Sequence, residues 1–317
     1  MLKGSRFLKG LLVLAVFSSL TIWAANAQKV TDTAEKEKSS NTLNFHLENV
    51  ERITSVGEYI NPTWSPNSTS IAFTNDNGTF IFSLTDRKLI KLTNEVAGFK
   101  FFWTIDGKSI VYRTQINERV MVIKQIEIET GKVSTLTQSS NLGLPQEIQS
   151  GTIQYRERGV SKILRLSKPT DSKVPFVYQQ NDHIFVVINE IEKQITKEEG
   201  KYFLPKLSPN GSKILYQEIL RGLYVTDLQH GITIYLGKGD DAAWSPDSKY
   251  IIYEITVDDG HSIVSSELYI ADLYSQKIQL TNTPDLVEMR PSWSPDGKYI
   301  AFDANGAIYL AEIGQRK

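Results

Sequence analysis

Four histidines, three turn aspartates and a complete lack of cysteine define the chemistry open to this chain. His46, His183, His230 and His261 are the residues suited to a transition metal or to acid–base work near neutral pH. A metal site needs several ligands converging on one point, held by supporting partners. Their positions place His46 in or near the polar spacer, His183 and His261 in turns between second and third strands, and His230 in a third-to-fourth strand turn. None falls on an inner strand, so no metal is expected. Asp106, Asp247 and Asp296 each sit in their own tight turn, with no second carboxylate at calcium-loop spacing. Asn67, Asn77 and Asn210 begin Asn-x-Ser/Thr triplets, but hairpin turns favour asparagine in any case. Without cysteine there is no thiol nucleophile, no disulfide and no thioether-linked lipid. No Gly-x-Ser-x-Gly elbow occurs, and Gly237-Lys238-Gly239 lies between strands without opening a helix. The chain is therefore read as non-enzymatic and free of cofactors.

The elements that carry these residues come from a repeat. Its clearest copy is Trp293-Ser294-Pro295-Asp296-Gly297-Lys298-Tyr299-Ile300-Ala301-Phe302, matched by Trp64 to Phe73, Trp103 to Tyr112, Leu207 to Tyr216 and Trp244 to Tyr253. Pro66, Pro209, Pro246 and Pro295 preset φ at the second turn position, and Gly107, Gly211 and Gly297 tolerate the positive φ that ends it. A short apolar strand thus leads into a tight hairpin and an alternating second strand. A third strand such as Glu267 to Asp272 follows, then a fourth such as Lys277 to Asn282. Four antiparallel strands in about 40–50 residues, repeated, predict a propeller blade. Trp64, Trp103, Trp244 and Trp293 recur at one blade position, which makes them interblade core rather than sugar platforms.

Fourth strands give the expected blade count. They end at Thr54, Thr93, Thr137, Thr196, Leu236 and Thr281, which makes six. The last unit, Pro291 to Ile313, supplies only three strands, so a strand at about 48–54 is expected to complete it and close the ring. The fold class is all-β: a six-bladed propeller of four-stranded antiparallel blades spanning 48–313, with 314–317 as a tail. In the third blade, at about 140–196, Phe176 to Tyr178 and His183 to Ile188 read as second and third strands, the first strand is placed within Ile148 to Tyr155, and Arg156 to Lys173 is read as an insertion or a reshaped hairpin.

The N-terminus reads as an address. Lys3, Arg6 and Lys9 precede the apolar stretch Leu11 to Trp23, and Ala25-Asn26-Ala27 has the small-x-small pattern of a cleavage site. The apolar stretch is short for a membrane span, which needs roughly 20 residues. Residues 1–27 are therefore expected to be a cleaved secretory signal that leaves no membrane span, and 28–47 a flexible polar spacer. Net charge is −1, from 35 basic and 36 acidic residues, and losing three basic residues with the signal makes it −4. Such a balance argues against a nucleic-acid partner. The expected location is periplasmic, with release from the cell as the alternative.

Trp293-Ser294-Pro295-Asp296-Gly297-Lys298, with Leu280-Thr281 before it and Ile308-Tyr309-Leu310 after it, resembles the repeat of the TolB-type six-bladed propellers. The resemblance covers about Glu48 to Ile313 and implies an extracytoplasmic propeller. TolB itself places an α/β domain ahead of its propeller, whereas here about 20 polar residues separate the signal from the first strand. The resemblance therefore carries over only the propeller's share of that role, which is binding a lipoprotein partner on one face. Propeller loops that enter each blade share a face around the channel mouth. They offer Tyr59 and Asn61; Phe99 and Lys100; Tyr202, Phe203 and Lys206; Asp240 and Asp241; and Glu288 and Arg290. Aromatic residues among mixed charges at a concave mouth suit protein binding. The expected function is an exported scaffold that binds an envelope protein or lipoprotein. The alternatives are a glycan-binding or glycan-cleaving propeller of the oligogalacturonate lyase type and an accessory propeller of a separate peptidase.

Overall fold

The computed structural model describes residues 43–98, 100–168 and 173–315. The expected signal segment, most of the spacer, Phe99 and the last two residues lie outside that set. Among the described residues the regular structure is all β, and strands from Phe45 to Gln315 form seven antiparallel sheets. Each sheet is one propeller blade, numbered here along the chain. Blades 1 (60–93), 2 (101–139), 5 (202–237) and 6 (240–279) have four strands in sequential order, whereas blades 3 (146–165) and 4 (176–194) have three. Blade 7 combines three strands of 288–315 with the strand Phe45–Arg52, which pairs antiparallel with Ala307–Gln315. The ring closes through the two ends of the folded chain, as the repeat predicts. The closing strand starts at Phe45, three residues before its expected start.

Seven blades, not six, is the main correction to the sequence reading. The segment expected to hold one blade and an insertion holds two incomplete blades. Thr152–Glu157 pairs with Val160–Arg165, so the end of the segment read as a first strand and the start of the one read as an insertion or reshaped hairpin form a second and a third strand. Blade 3 has no fourth strand, and a count of fourth strands passes over it. Blade 4 lacks the opposite element. In blades 1, 5, 6 and 7 a second-strand aromatic stacks on a third-strand aromatic: Phe73 on Phe80, Tyr216 on Tyr224, Tyr253 on Tyr269 and Phe302 on Tyr309. Tyr178 stacks on Phe185 in the same way, with ring centroids 5.3 Å apart. Phe176–Gln180 is therefore a second strand, and blade 4 has no innermost strand.

The core lies in layers between blades. Tyr59, Trp64, Phe73 and Phe80 of blade 1 pack on Ala301, Ile308 and Leu310 of blade 7. Each buried Trp also makes a polar contact with the preceding blade. The indole N–H of Trp64 donates to the Ser292 carbonyl (3.0 Å), that of Trp103 to Thr63 (3.0 Å) and that of Trp244 to Lys206 (3.1 Å). A buried indole without a partner would carry the desolvation cost of its N–H, which these bonds avoid. The turn aspartates serve their own hairpins: Asp296 Oδ1 accepts from Ser294 Oγ (2.7 Å) and the Lys298 N–H (3.2 Å). Asp106 and Asp247 do the same with Thr104 and Ser245. Between Thr256 and Ser266, where blade 6 turns from its second strand to its third, the chain is mostly strand, within Tyr250–Asp258 and Ile263–Asp272.

Candidate functional site: the central channel

The first strand of a blade lines the channel, and here most first strands are kinked. Register shifts fall between Ile60 and Thr63, Phe203 and Lys206, Asp240 and Ala243, and Met289 and Ser292. At each of these bulges one non-glycine residue has positive φ: Asn61 (60°), Leu204 (50°), Asp241 (42°) and Arg290 (52°). L-residues rarely adopt this conformation, and a bulge re-aims the side chain that carries it. Each bulge residue lies three positions before the repeat's Trp64, Leu207, Trp244 or Trp293, and Lys100 holds the same position before Trp103. A second set stands ten positions after those residues, on the second strands: Thr74, Arg113, Gln217, Glu254 and Asp303.

These two positions meet in the channel. Arg290 makes a two-pronged pair with Asp303, Nε to Oδ1 at 2.8 Å and Nη2 to Oδ2 at 2.5 Å. Asp303 Oδ1 also accepts from the Asn61 N–H (3.2 Å), and the Arg290 N–H donates to Glu254. Glu254 and Asp303 are 1% and 3% exposed, and burial dominates their titration. It pushes the Glu254 carboxyl up to about 8, with the Asp241 charge adding to the rise. Asp303 is pushed up to about 6 by burial, even though Arg290 opposes the shift. At neutral pH Glu254 is therefore largely protonated. Lys100 of blade 2 reaches Asp241 of blade 6 at 2.9 Å, a pair that spans the channel.

On the other side of that pair lies a cavity of ≈ 510 Å³, bounded by blades 2 to 5. Its cations are Lys100, Arg113 and Lys206, and its apolar walls include Phe102, Leu144 and Leu204. Lys206 Nζ donates to the Ala242 carbonyl (2.6 Å). Burial, helped by the Lys100 charge, lowers the Lys206 ammonium to about 8, against the pull of Asp241 and Glu254. Arg113 donates to the Leu142 carbonyl (2.6 Å). A second cavity, of ≈ 520 Å³, lies between the hairpins of blades 2 and 3 and is walled by turn residues.

The residues singled out from the sequence divide into two groups. Asn61, Lys100, Lys206, Asp241 and Arg290 converge on the channel. Asp240 is bound to Gln217, and Glu288 is buried and accepts from the hydroxyls of Thr281 and Thr283. Burial pushes both carboxyls above their ordinary range. Tyr59 and Tyr202, expected as partner anchors, are 9% and 6% exposed and pack in the core against Phe73 and Tyr216. Their rings are not available to a docking protein, which removes them as anchors. Phe203 is half-buried, and Phe99 lies outside the described residues. Arg113, Glu254 and Asp303 were not singled out. The signal for them was present: each follows the aromatic, Tyr112, Tyr253 or Phe302, that ends its copy of the repeat. The four histidines lie on blades 7, 4, 5 and 6. Among the described residues no group of three or more metal-binding side chains is placed to hold an ion.

No protein-family model matches the chain, and comparison with curated proteins finds no match. Solved structures do share the fold. A putative TolB from Agrobacterium tumefaciens is 14% identical, covering 87% of this chain and 100% of its own, with a TM-score of 0.52. An oligogalacturonate lyase in complex with manganese is 13% identical over 86% and 97% of the two chains, with a TM-score of 0.51. An oligogalacturonate lyase from Vibrio parahaemolyticus gives 13%, 86%, 97% and 0.50. At these identities the likeness is one of fold. The chain has an all-β propeller fold like that of these structures, and among its described residues no helix is long and apolar enough to cross a membrane.

Proposed function

We propose that this protein is an exported binding propeller that works at the cell envelope and holds a protein partner at the mouth of its channel. The observation that carries this reading is the open half of the channel. There Lys100, Arg113 and Lys206 stand among apolar walls on rigid, hydrogen-bonded strands. Side chains fixed in this way lose little ordering entropy on docking, so more of the contact energy appears as affinity. Residues 1–27, read from the sequence as an export signal, support a partner outside the cytoplasm, in the periplasm or beyond it. The test is a pull-down from envelope extract with wild type and with Lys206→Met/Arg113→Gln. Loss of one specific partner in the double variant is expected, and equal recovery of every partner would sink the site.

The three cations also favour a second reading, in which the cavity takes an acidic glycan. Fold neighbours include oligogalacturonate lyases, and Lys206, lowered to about 8, has a proton affinity suited to a general base near neutral pH. Incubation with pectic fragments decides the matter: new absorbance in the unsaturated-uronide band supports this reading, and its lack removes it.

A further inference from the structure

Blade 4 lacks its innermost strand, and one side chain has taken over part of that strand's work. In a complete blade, the inner edge of the second strand exchanges N–H and C=O bonds with the first strand. In blade 4 the Gln146 side chain accepts from the Val177 N–H (3.0 Å) and donates to the Pro175 carbonyl (3.0 Å). Its amide thus presents to the edge the same donor and acceptor as a backbone peptide. The Ile148 carbonyl accepts from the Val174 N–H (2.7 Å) just before it.

Beyond Val177 this substitution stops. Backbone groups alternate in direction along a strand, so the Gln179 N–H and C=O face the same way as the Val177 N–H. No strand lies on that side of blade 4 among the described residues. What lies there is the ≈ 510 Å³ cavity, bounded by 143–147 on one flank and 204–207 on the other. Gln179 is exposed, so its edge is reachable. Three cations, Lys100, Arg113 and Lys206, line the same space. Glu147, the carboxylate in this wall, is tied to the Ile105 and Gly151 N–H groups at 2.6 and 2.7 Å.

We propose that an extended acidic segment of a partner protein enters this cavity and pairs with the Gln179 edge as the missing inner strand of blade 4. Main-chain bonds along the edge supply affinity, as in other strand additions, and the cations select acidic side chains. The volume suits a short segment rather than a folded domain. This proposal rests on the protein-binding reading above and names the chemistry of the partner.

The probe is a fluorescein-labelled hexapeptide of alternating valine and glutamate, titrated with the full mature chain and followed by anisotropy. Saturable binding is expected. It should weaken at least tenfold when alternate peptide nitrogens are methylated, and as much when lysine replaces glutamate. Lys206→Met should weaken it similarly while keeping the wild-type Tm or raising it, because the substitution removes a cation from a buried site. Equal binding of the methylated peptide overturns strand pairing, and full displacement by acetate shows a site for small carboxylates instead. No saturable binding also overturns the proposal. If the peptide fails while envelope recovery still depends on Lys206 and Arg113, the protein-binding reading stands and strand addition falls.

Discussion

The channel has two halves, and the same repeat positions build both. Across blades 6, 7 and 1 the positions three before and ten after the Trp hold Asp241, Arg290, Asn61, Glu254 and Asp303, which bond to one another or to Lys100 and fill the space. Across blades 2 to 5 they hold Lys100, Arg113, Leu204 and Gln217, and a cavity remains. The difference lies in the strands as much as in the side chains. Blades 6, 7 and 1 are complete, whereas blade 4 has no inner strand and its neighbours leave the gap open. One half of the ring holds buried charge as structure, and the other half holds it facing a space.

The sharpest test of that contrast removes one cation from each half. Arg290→Met leaves Asp303 buried without its main donor, though the backbone N–H to Glu254 is kept, and breaking a buried pair in this way costs about 3–5 kcal/mol. Lys206→Met should be neutral or stabilising, since it removes a desolvated ammonium. Thermal unfolding at pH 7.5 checks both. The contrast fails if the two variants lose similar stability.

A second, smaller effect follows from Glu254. Its carboxyl titrates at about 8 in the fold against 4.5 as an ordinary glutamate. The native state therefore holds a proton that the unfolded chain has lost, and stability falls as pH rises from about 4.5 to 8. The loss is complete above pH 8 and is on the order of a few kcal/mol. Glu254→Gln should flatten this slope in Tm measured from pH 5 to 9. An unchanged slope would place the responsible group elsewhere in the filled half.

Much of this architecture was legible in the sequence. The Ser-Pro-Asp-Gly copies carry their turn chemistry locally, and the strand that closes the ring follows from counting strands in the last unit. Blade 4 was legible in part, as the second, third and fourth strands expected at Phe176 to Tyr178, His183 to Ile188 and up to Thr196. Blade 3 was not, because it carries neither the Trp hairpin nor a fourth strand to count. Tyr59 and Tyr202 misled for a related reason. Both lie where loops were expected, Tyr59 just before a first strand and Tyr202 at the start of one, yet their rings turn into the interblade layer. Arg113, Glu254 and Asp303 are recovered by stacking the five copies on their Trp or Leu and reading the column ten residues on. That column pairs with the one three residues before only through the bulges, which appear in no local propensity.

Gln146 tests how far a side chain replaces a strand. Gln146→Glu keeps the length but turns the donor at Pro175 into an acceptor facing a carbonyl. A loss of about 1–3 kcal/mol is expected, from one bond lost and one group left unsatisfied. Gln146→Leu should cost about as much. Faster hydrogen exchange at Val177 in either variant, with Tyr216 and Ile252 unaffected, would confine the damage to blade 4. Uniform exchange across the ring would mean that the open half is no looser than the filled one.

The smallest effect is the pH dependence of peptide binding in the open half. Lys206 loses its proton near pH 8, and the charges that face it are Lys100, Asp241 and Glu254. Glu254 gains its negative charge over the same range, so both changes weaken the attraction for an acidic segment. Affinity for the valine–glutamate peptide should therefore fall a few-fold between pH 7 and 9. Lys206→Arg keeps the cation throughout and should retain the part of the profile due to Glu254 alone, while Glu254→Gln should retain the part due to Lys206. If both variants keep the full wild-type slope, neither group faces the bound segment, and the boundary between the two halves lies elsewhere than at the Lys100–Asp241 pair.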